Sequence, residues 1–370
     1  RDSRAARPDG MITRAQTLAK AAALRSLFEA AGAVPVDPPI LQPAETLLDL
    51  YGEDIRARAY VTSDAMRGEQ MLRPDFTVPV VQMHMSDGAE PARYTYAGEV
   101  FRRQEHDPDR ANEFMQAGFE IFDGSNPAAA DAEVFALISQ AVAPLNLRAV
   151  TGDLGILMAA VEGLQTTAPR KAALLRHIWR PRRFKALLDR YAGRIIPSKE
   201  RAALLERSDF PIAAPLIGRR GRSEIEKRIT LLREDAATPL LGEGEVALLD
   251  ALLRIRETMP FALERLRDLA VDLPSISAAV GRLAARSEAM AARGIDVDHL
   301  AFETGFGRTS MEYYDGFVFG FFYEQRPDFP AVATGGRYDA LTRRLGAGRE
   351  IPAVGGVLRP GLMLELEARR

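Results

Sequence analysis

The stretch that decides the fold is Arg93-Tyr-Thr-Tyr-Ala-Gly-Glu-Val-Phe-Arg-Arg103, followed after a polar connection at 104–113 by Phe114-Met-Gln-Ala-Gly-Phe-Glu-Ile-Phe122. Both halves read as strands, along which side chains alternate between two faces. In the second, Met115, Ala117, Phe119 and Ile121 share an apolar face and belong to a core, while Gln116, Gly118 and Glu120 share the other. In the first, Tyr96, Gly98, Val100 and Arg102 share a face, again around a glycine. A hairpin that pairs the two gathers Arg102, Gln116 and Glu120 around one polar hollow. Two readings follow. Arg102 and Glu120 form a cross-strand ion pair on a solvated surface, or the glycines leave room for a ligand to lie on the sheet. Tyr313-Tyr314 and Gly335-Gly336 favour the second without deciding it.

Working outward, residues 17–31 carry Leu18, Ala22, Leu24, Leu27 and Phe28 at helical spacing, and Gly32 follows as a stop. The prolines of 34–41 exclude a helix interior and predict an extended segment. Residues 45–50 read as a short helix, 71–81 as a strand, and Asn126-Pro127 as the start of a helix that runs to about Val142. Residues 149–163 predict a strand, a turn at Gly152-Asp153 and another helix. From 169 to 268 strand signals fade, and Leu, Ala, Arg and Glu dominate between scattered prolines. Strand-like sequence returns at 299–303, 313–323, 332–334 and 353–358, before a final helix. Strands on both sides of a helical block imply an α+β fold with an antiparallel-dominated sheet built from both ends of the chain. The expected division is a core at 11–165 and 270–370 with a mostly helical insertion at 166–269.

Composition narrows the function classes. The 370 residues are 47% hydrophobic and 27% charged, the profile of a soluble globular protein. Cysteine is absent, which removes thiolate metal sites, iron–sulfur clusters and cysteine nucleophiles together. The four histidines (His84, His106, His177 and His299) stand too far apart for a histidine metal site, so neither metal nor cofactor is expected. A net charge of −2 argues against a dedicated nucleic-acid binder. No apolar stretch approaches the roughly 18 uninterrupted residues of a membrane span, and no apolar run follows residues 1–10 as a secretory signal requires. The expected setting is cytoplasmic. Gly305-x-Gly307 has Ser310 where a dinucleotide fingerprint needs its third glycine, and no P-loop occurs.

Six segments in order carry a resemblance: Leu72-Arg-Pro-Asp-Phe-Thr77, Gly98-Glu-Val-Phe-Arg102, Gln116-Ala-Gly-Phe-Glu120, Glu312-Tyr-Tyr314, Gly335-Gly-Arg-Tyr-Asp-Ala-Leu341 and Pro352-Ala-Val-Gly355. Together they resemble the catalytic core of class II histidyl-tRNA synthetases, from near residue 11 onward apart from the helical block. The resemblance implies a six- or seven-stranded antiparallel sheet flanked by helices. It also implies a homodimer with residues 17–41 at the interface. It assigns Asp75, Thr77 and Gln116 to a ligand α-ammonium group, Glu120 and Tyr314 to an imidazole, and Arg102 to a neighbourhood of the carboxylate, with Tyr313 in the same histidine site.

The departures from that family matter as much. Thr309 stands where the synthetases carry an arginine central to amino-acid activation, with Arg308 beside it, and Leu362 stands where a nucleotide-holding arginine belongs, with Arg359 three residues earlier. Residues 103–113 hold Arg103 and Arg110 against Glu105, Asp107, Asp109 and Glu113, a local charge of −2 where phosphate chemistry needs cations. The sequence also ends after the last helix, where the synthetases continue into an anticodon-reading domain. A synthetase-like core with these losses resembles the regulatory subunit of ATP phosphoribosyltransferase. That resemblance implies no catalytic residues, the short-form catalytic subunit as partner, and histidine as feedback effector in the first step of histidine biosynthesis. Two alternatives stay open: a truncated histidyl-tRNA synthetase or other histidine-activating ligase, and an effector site between subunits instead of in the inherited pocket.

Overall fold

The hairpin forms, and the sheet grows around it. The computed structural model describes residues 12–45, 55–104, 110–207, 217–218, 221–309 and 312–369. Its main sheet has nine strands in the order β1 (Val34–Pro35), β5 (Ala92–Phe101), β6 (Glu113–Phe122), β12 (Ala353–Leu358), β11 (Ala333–Arg337), β10 (Phe317–Phe322), β7 (Arg148–Asp153), β9 (Ala301–Glu303) and β8 (Arg256–Thr258). Six of its eight pairings are antiparallel; β1 with β5 and β7 with β9 are parallel. The expected six or seven strands become nine because the short β1, β8 and β9 extend the edges. A small second sheet joins β2 (Leu41–Pro43), β4 (Gly68–Leu72) and β3 (Val61–Asp64).

Register confirms the two faces. β5 and β6 pair Tyr94 with Glu120, Tyr96 with Gly118 and Gly98 with Gln116. On the opposite face Ala117, Phe119 and Ile121 enter the main core together with Phe317 and Phe319 of β10. Helix α3 (Pro127–Val142) covers that face, and the Phe135 ring sits 5.3 Å from Phe319 and 5.4 Å from Phe321. Asn126 caps it by accepting from the Ala129 amide at 3.1 Å, with Pro127 at the first helical position. The segment Pro127–Leu145 is long and apolar enough to cross a membrane, with mean hydropathy 1.3. Here Ala130, Ala132, Val134, Phe135, Ile138 and Val142 are turned into the protein core.

Helix α1 (Arg14–Ala30) begins at a capping box between Thr13 and Gln16, and Gly32 at φ 90° turns the chain out of it. The helix expected over 45–50 lies largely outside the described residues. The strand expected over 71–81 is a correction. β4 ends at Leu72, and Thr77–Asp87 is a helix, α2. Pro74 and Asp75 break the strand, and the Asp75 carboxylate accepts from the Val78 amide at 3.4 Å. Thr77, Val78, Pro79, Val80 and Val81 are all buried, so a helix enclosed on every side presents the unbroken apolar run of an inner strand. Pro79 is tolerated because the first turn lacks intrahelical partners for its amides. Nor is Gly152-Asp153 a turn: Gly152 lies within β7, and Asp153 caps helix α4 (Leu154–Glu162) by accepting from Gly155 at 2.9 Å.

The helical block holds α5 (Ala168–Arg176), α6 (Pro181–Tyr191), α7 (Lys199–Glu206), α8 (Arg222–Ala237) and α9 (Glu243–Leu253). It also supplies β8 to the sheet edge before α10 (Met259–Asp272) and α11 (Ser277–Ala292). Leu174, Phe184, Leu188, Leu249 and Leu252 belong to the same buried cluster as Phe317 and Phe319. The chain closes with α12 (Asp339–Leu345) and α13 (Pro360–Glu367), on either side of β12.

Candidate functional site

The polar face of the hairpin is buried, and its centre is Glu120, 1% exposed. Three hydroxyl groups converge on it. Thr77 Oγ1 and Tyr96 Oη donate to Oε1 at 3.0 and 2.8 Å, and Tyr338 Oη donates to Oε2 at 2.6 Å. A carboxylate has about four lone-pair sites, so this cage leaves one free for a ligand N–H. Burial pushes the Glu120 carboxyl up to about 7; the donors from Tyr338, Tyr96 and Thr77 oppose that, and the charge of Asp75 adds to it. Glycines make the room. A Cβ at Gly355 would fall on the Glu120 carboxylate, and one at Gly118 would enter the Tyr96 ring. Tyr96 is held in turn by stacking on Phe76 at 4.3 Å.

Asp75 makes a second, smaller centre. It accepts from Tyr313 Oη at 3.1 Å, and Tyr313 packs edge-on against Tyr314 at 4.9 Å. Burial and the charges of Glu120 and Asp75 hold the Tyr314 phenol well above its ordinary range, so it stays a neutral donor. Arg102 is buried; its Nε donates to the Pro74 carbonyl at 2.6 Å, next to Asp75. Gln116 is fully buried, and among the described residues neither its Oε1 nor its Nε2 has a hydrogen-bond partner. A buried amide with both ends unmade is costly; Gln116 stands opposite Gly98 in the register, and Arg73 and Phe76 pack over Gly98. Around Glu120 and Asp75 the structure thus brings together Thr77, Arg102, Tyr313 and Tyr314, while Gln116 is buried farther along β6, opposite Gly98. An acid that holds one free acceptor site among neutral phenols suits a small heteroaromatic cation or N–H donor.

Two details bear on the reading from sequence. No ion pair joins Arg102 to Glu120 among the described residues, because Arg102 lies at the far end of the hairpin, where its amide bonds to Asn112 at 2.8 Å. Thr77, assigned by resemblance to the ammonium group, directs its hydroxyl proton to Glu120. Sequence reading missed two members of the cage. Tyr96 had the right face and stood opposite Gly118; Tyr338 stood inside the Gly335-Gly-Arg-Tyr segment, with no pattern to aim it at Glu120.

The departures also find their places. Arg308 turns away toward the helical block: its Nε donates to the Ile178 carbonyl at 2.8 Å, its guanidinium lies over Phe184 at 4.7 Å, and burial lowers it to about 10. Arg359 lines a cleft of about 890 Å³ with Arg102 and Leu362, and donates to the Ala331 carbonyl at 3.0 Å. Burial lowers it to about 9, helped by the charges of Arg102, Arg58 and Arg110. Glu105, Asp107 and Asp109 of the acidic connection, like Ser310, lie outside the described residues. Among the described residues no group of three or more His, Asp or Glu is arranged to hold a metal ion.

Comparison with known proteins places the chain. The family model described as histidyl-tRNA synthetase matches residues 12–209 and 225–360. A protein of Brucella anthropi named ATP phosphoribosyltransferase regulatory subunit is 31% identical over 353 residues, 90% of this chain and 93% of that protein. Its namesake in Brucella ovis is 33% identical, with the same coverage of both chains. The chain belongs to the ATP phosphoribosyltransferase regulatory subunit family. Solved structures agree on the class II synthetase-like α+β fold of this family. A Bacillus halodurans protein described as an ATP phosphoribosyltransferase regulatory subunit/histidyl-tRNA synthetase superposes with a TM-score of 0.66 at 21% identity, over 99% of this chain and 84% of that one. A histidyl-tRNA synthetase from Nostoc sp. PCC 7120 gives 0.63 at 16% identity, over 100% of this chain and 75% of that one.

Proposed function

We propose that the chain is the non-catalytic regulatory subunit of a short-form ATP phosphoribosyltransferase, enabling its catalytic partner in the cytoplasm and conveying feedback by histidine. The observation that carries the reading is the contrast between two arginine positions and one carboxylate. Thr309 carries no cation and its neighbour Arg308 is committed to Ile178 and Phe184, whereas Glu120 keeps a complete hydroxyl cage. A protein that retains an amino-acid pocket without the cations for activation is fitted to sense the amino acid.

In the pocket Glu120 accepts an imidazole N–H, Gln116 and Asp75 meet the ammonium group, and Arg102 meets the carboxylate. Histidine regulates a second chain only through different affinities for two assembly states. Homodimer formation is supported by the exposed apolar residues Leu18 of α1, Val34 of β1, Leu41 of β2 and the preceding Ile40. The decisive experiment is co-purification with a short-form catalytic chain, then assay of phosphoribosyl transfer with and without histidine. Failure to associate or to raise activity defeats the proposal.

A second reading, histidine activation by a ligase, draws on Arg359, which puts a cation beside Leu362 in the cleft that Arg102 shares. Histidine-dependent exchange of pyrophosphate into ATP by the purified chain decides for it; no exchange decides against it.

A further inference from the structure

Three segments separate in sequence carry residues of the proposed amino-acid pocket, and two carboxylates, Asp315 and Asp339, tie them together. Tyr313 and Tyr314 precede Asp315; Tyr338 lies between Arg337 and Asp339; Gly355, beneath Glu120, follows Ala353 by two residues. Asp315 Oδ1 accepts from the Asp339 amide at 3.1 Å, and its Oδ2 accepts from the Ala340 amide at 2.6 Å. Its own amide donates to the Arg337 carbonyl at 3.0 Å. Asp339 in turn accepts from the Ala353 amide at 2.8 Å and from Arg337 at 3.0 Å, while the Tyr338 amide donates to the Ala353 carbonyl at 3.0 Å. None of these bonds involves Glu120, but they fix the segments that carry Tyr338, which donates to Glu120, and Tyr313, which donates to Asp75.

We infer that Asp315 is a positioning residue of the amino-acid pocket: its carboxylate clamps the Tyr313-Tyr314 segment to the backbone around Tyr338 and thereby sets ligand affinity. The inference rests on the proposed reading that this pocket binds histidine. An ionised carboxylate accepts both amides with charge assistance. The protonated acid keeps one good acceptor and turns the other oxygen into a donor that meets an amide N–H. Burial and the charge of Asp339 push Asp315 up to about 7, against the two backbone amides and Arg337. Arg337 is itself held from behind by Asp131 of α3 at 2.6 Å, and Asp131 is bridged by Arg286 of α11 to Asp153. From α4 the approach is by Gly155, which brings no charge, with Arg282 of α11 beyond it. The clamp is therefore strong above neutrality and loosened below it.

The test is calorimetric titration of the full chain and its Asp315→Asn variant with histidine between pH 6 and 8.5. Asparagine carries one acceptor and one donor at every pH, as the protonated acid does. At pH 8.5 the variant binds about tenfold more weakly than the parent, and the ratio falls toward one at pH 6. Titration of Glu120 and of free histidine affects both proteins alike and cancels in the ratio. A ratio that is flat with pH, or equal to one at pH 8.5, overturns the inference while leaving the pocket reading intact. A parent chain that binds no histidine overturns both. Should the variant not fold, hydrogen exchange on the parent answers instead: histidine must slow exchange of the Asp339 and Ala340 amides at pH 8, and unchanged exchange overturns the clamp.

Discussion

Tyr338 reaches Glu120 across 218 positions of sequence and donates to its Oε2 at 2.6 Å, the shortest of the three bonds in the cage. Tyr338→Phe removes that donor and leaves the buried carboxylate short of a partner. The expected loss is about 1–3 kcal/mol of stability at pH 8, with a further rise in the Glu120 pKa. Chemical unfolding of parent and variant at pH 8 measures it, and an unchanged midpoint and slope would contradict the geometry.

The pH dependence of the free protein follows from Glu120 itself. Its pKa is raised from 4.5 in the unfolded chain to about 7 in the fold, so the folded state binds more protons between those values. Stability contributed by this group is present below about 4.5 and lost as pH rises toward and through 7. A shift of this size corresponds to a cost on the order of 3 kcal/mol at pH 8. Glu120→Gln should lessen the decline in unfolding free energy from pH 5 to pH 8 and abolish histidine binding. An identical decline in both proteins would place the titrating group elsewhere.

Gly355 tests the room beneath the acid. A methyl group there overlaps the Glu120 carboxylate, so Gly355→Ala is expected to cost about 1–3 kcal/mol and to remove the response to histidine. A methyl group at Gly361, in α13, would meet nothing within 4 Å, and Gly361→Ala should be neutral or stabilising. Calorimetric Tm values for the pair check the contrast.

Arg308 offers the opposite case. It is a buried cation held by one carbonyl and one aromatic face, and replacing such a charge by an apolar chain of similar volume is often neutral or stabilising by about 1–4 kcal/mol. Arg308→Met should raise or preserve Tm and leave activation of the partner unchanged. A loss of activation with an intact fold would give Arg308 a functional role.

The hairpin, α1 and α3 were legible because each carries one apolar side and one more polar side, which write period 2 or 3.6 into the sequence, even though the hairpin's polar side is itself buried. Helix α2 was illegible for the opposite reason, since enclosure on all sides erases the period. The buried acids of the proposed pocket were legible as residue types: Glu120 lies on the glycine-bearing face of β6, and Asp75 follows β4. What no local pattern encodes is aim. Tyr96 and Tyr338 belong to the cage through contacts 24 and 218 positions long, and Arg308 left the neighbourhood of the cleft through a choice of rotamer and backbone that spacing cannot express.

The Gln116 amide, sealed from water with neither end bonded, has one more consequence. Each unmade bond weakens the empty form, and a ligand that makes them is linked to the folded state by mass action. Under the proposed reading histidine is that ligand, and the chain should resist proteolysis more strongly the more of it is bound.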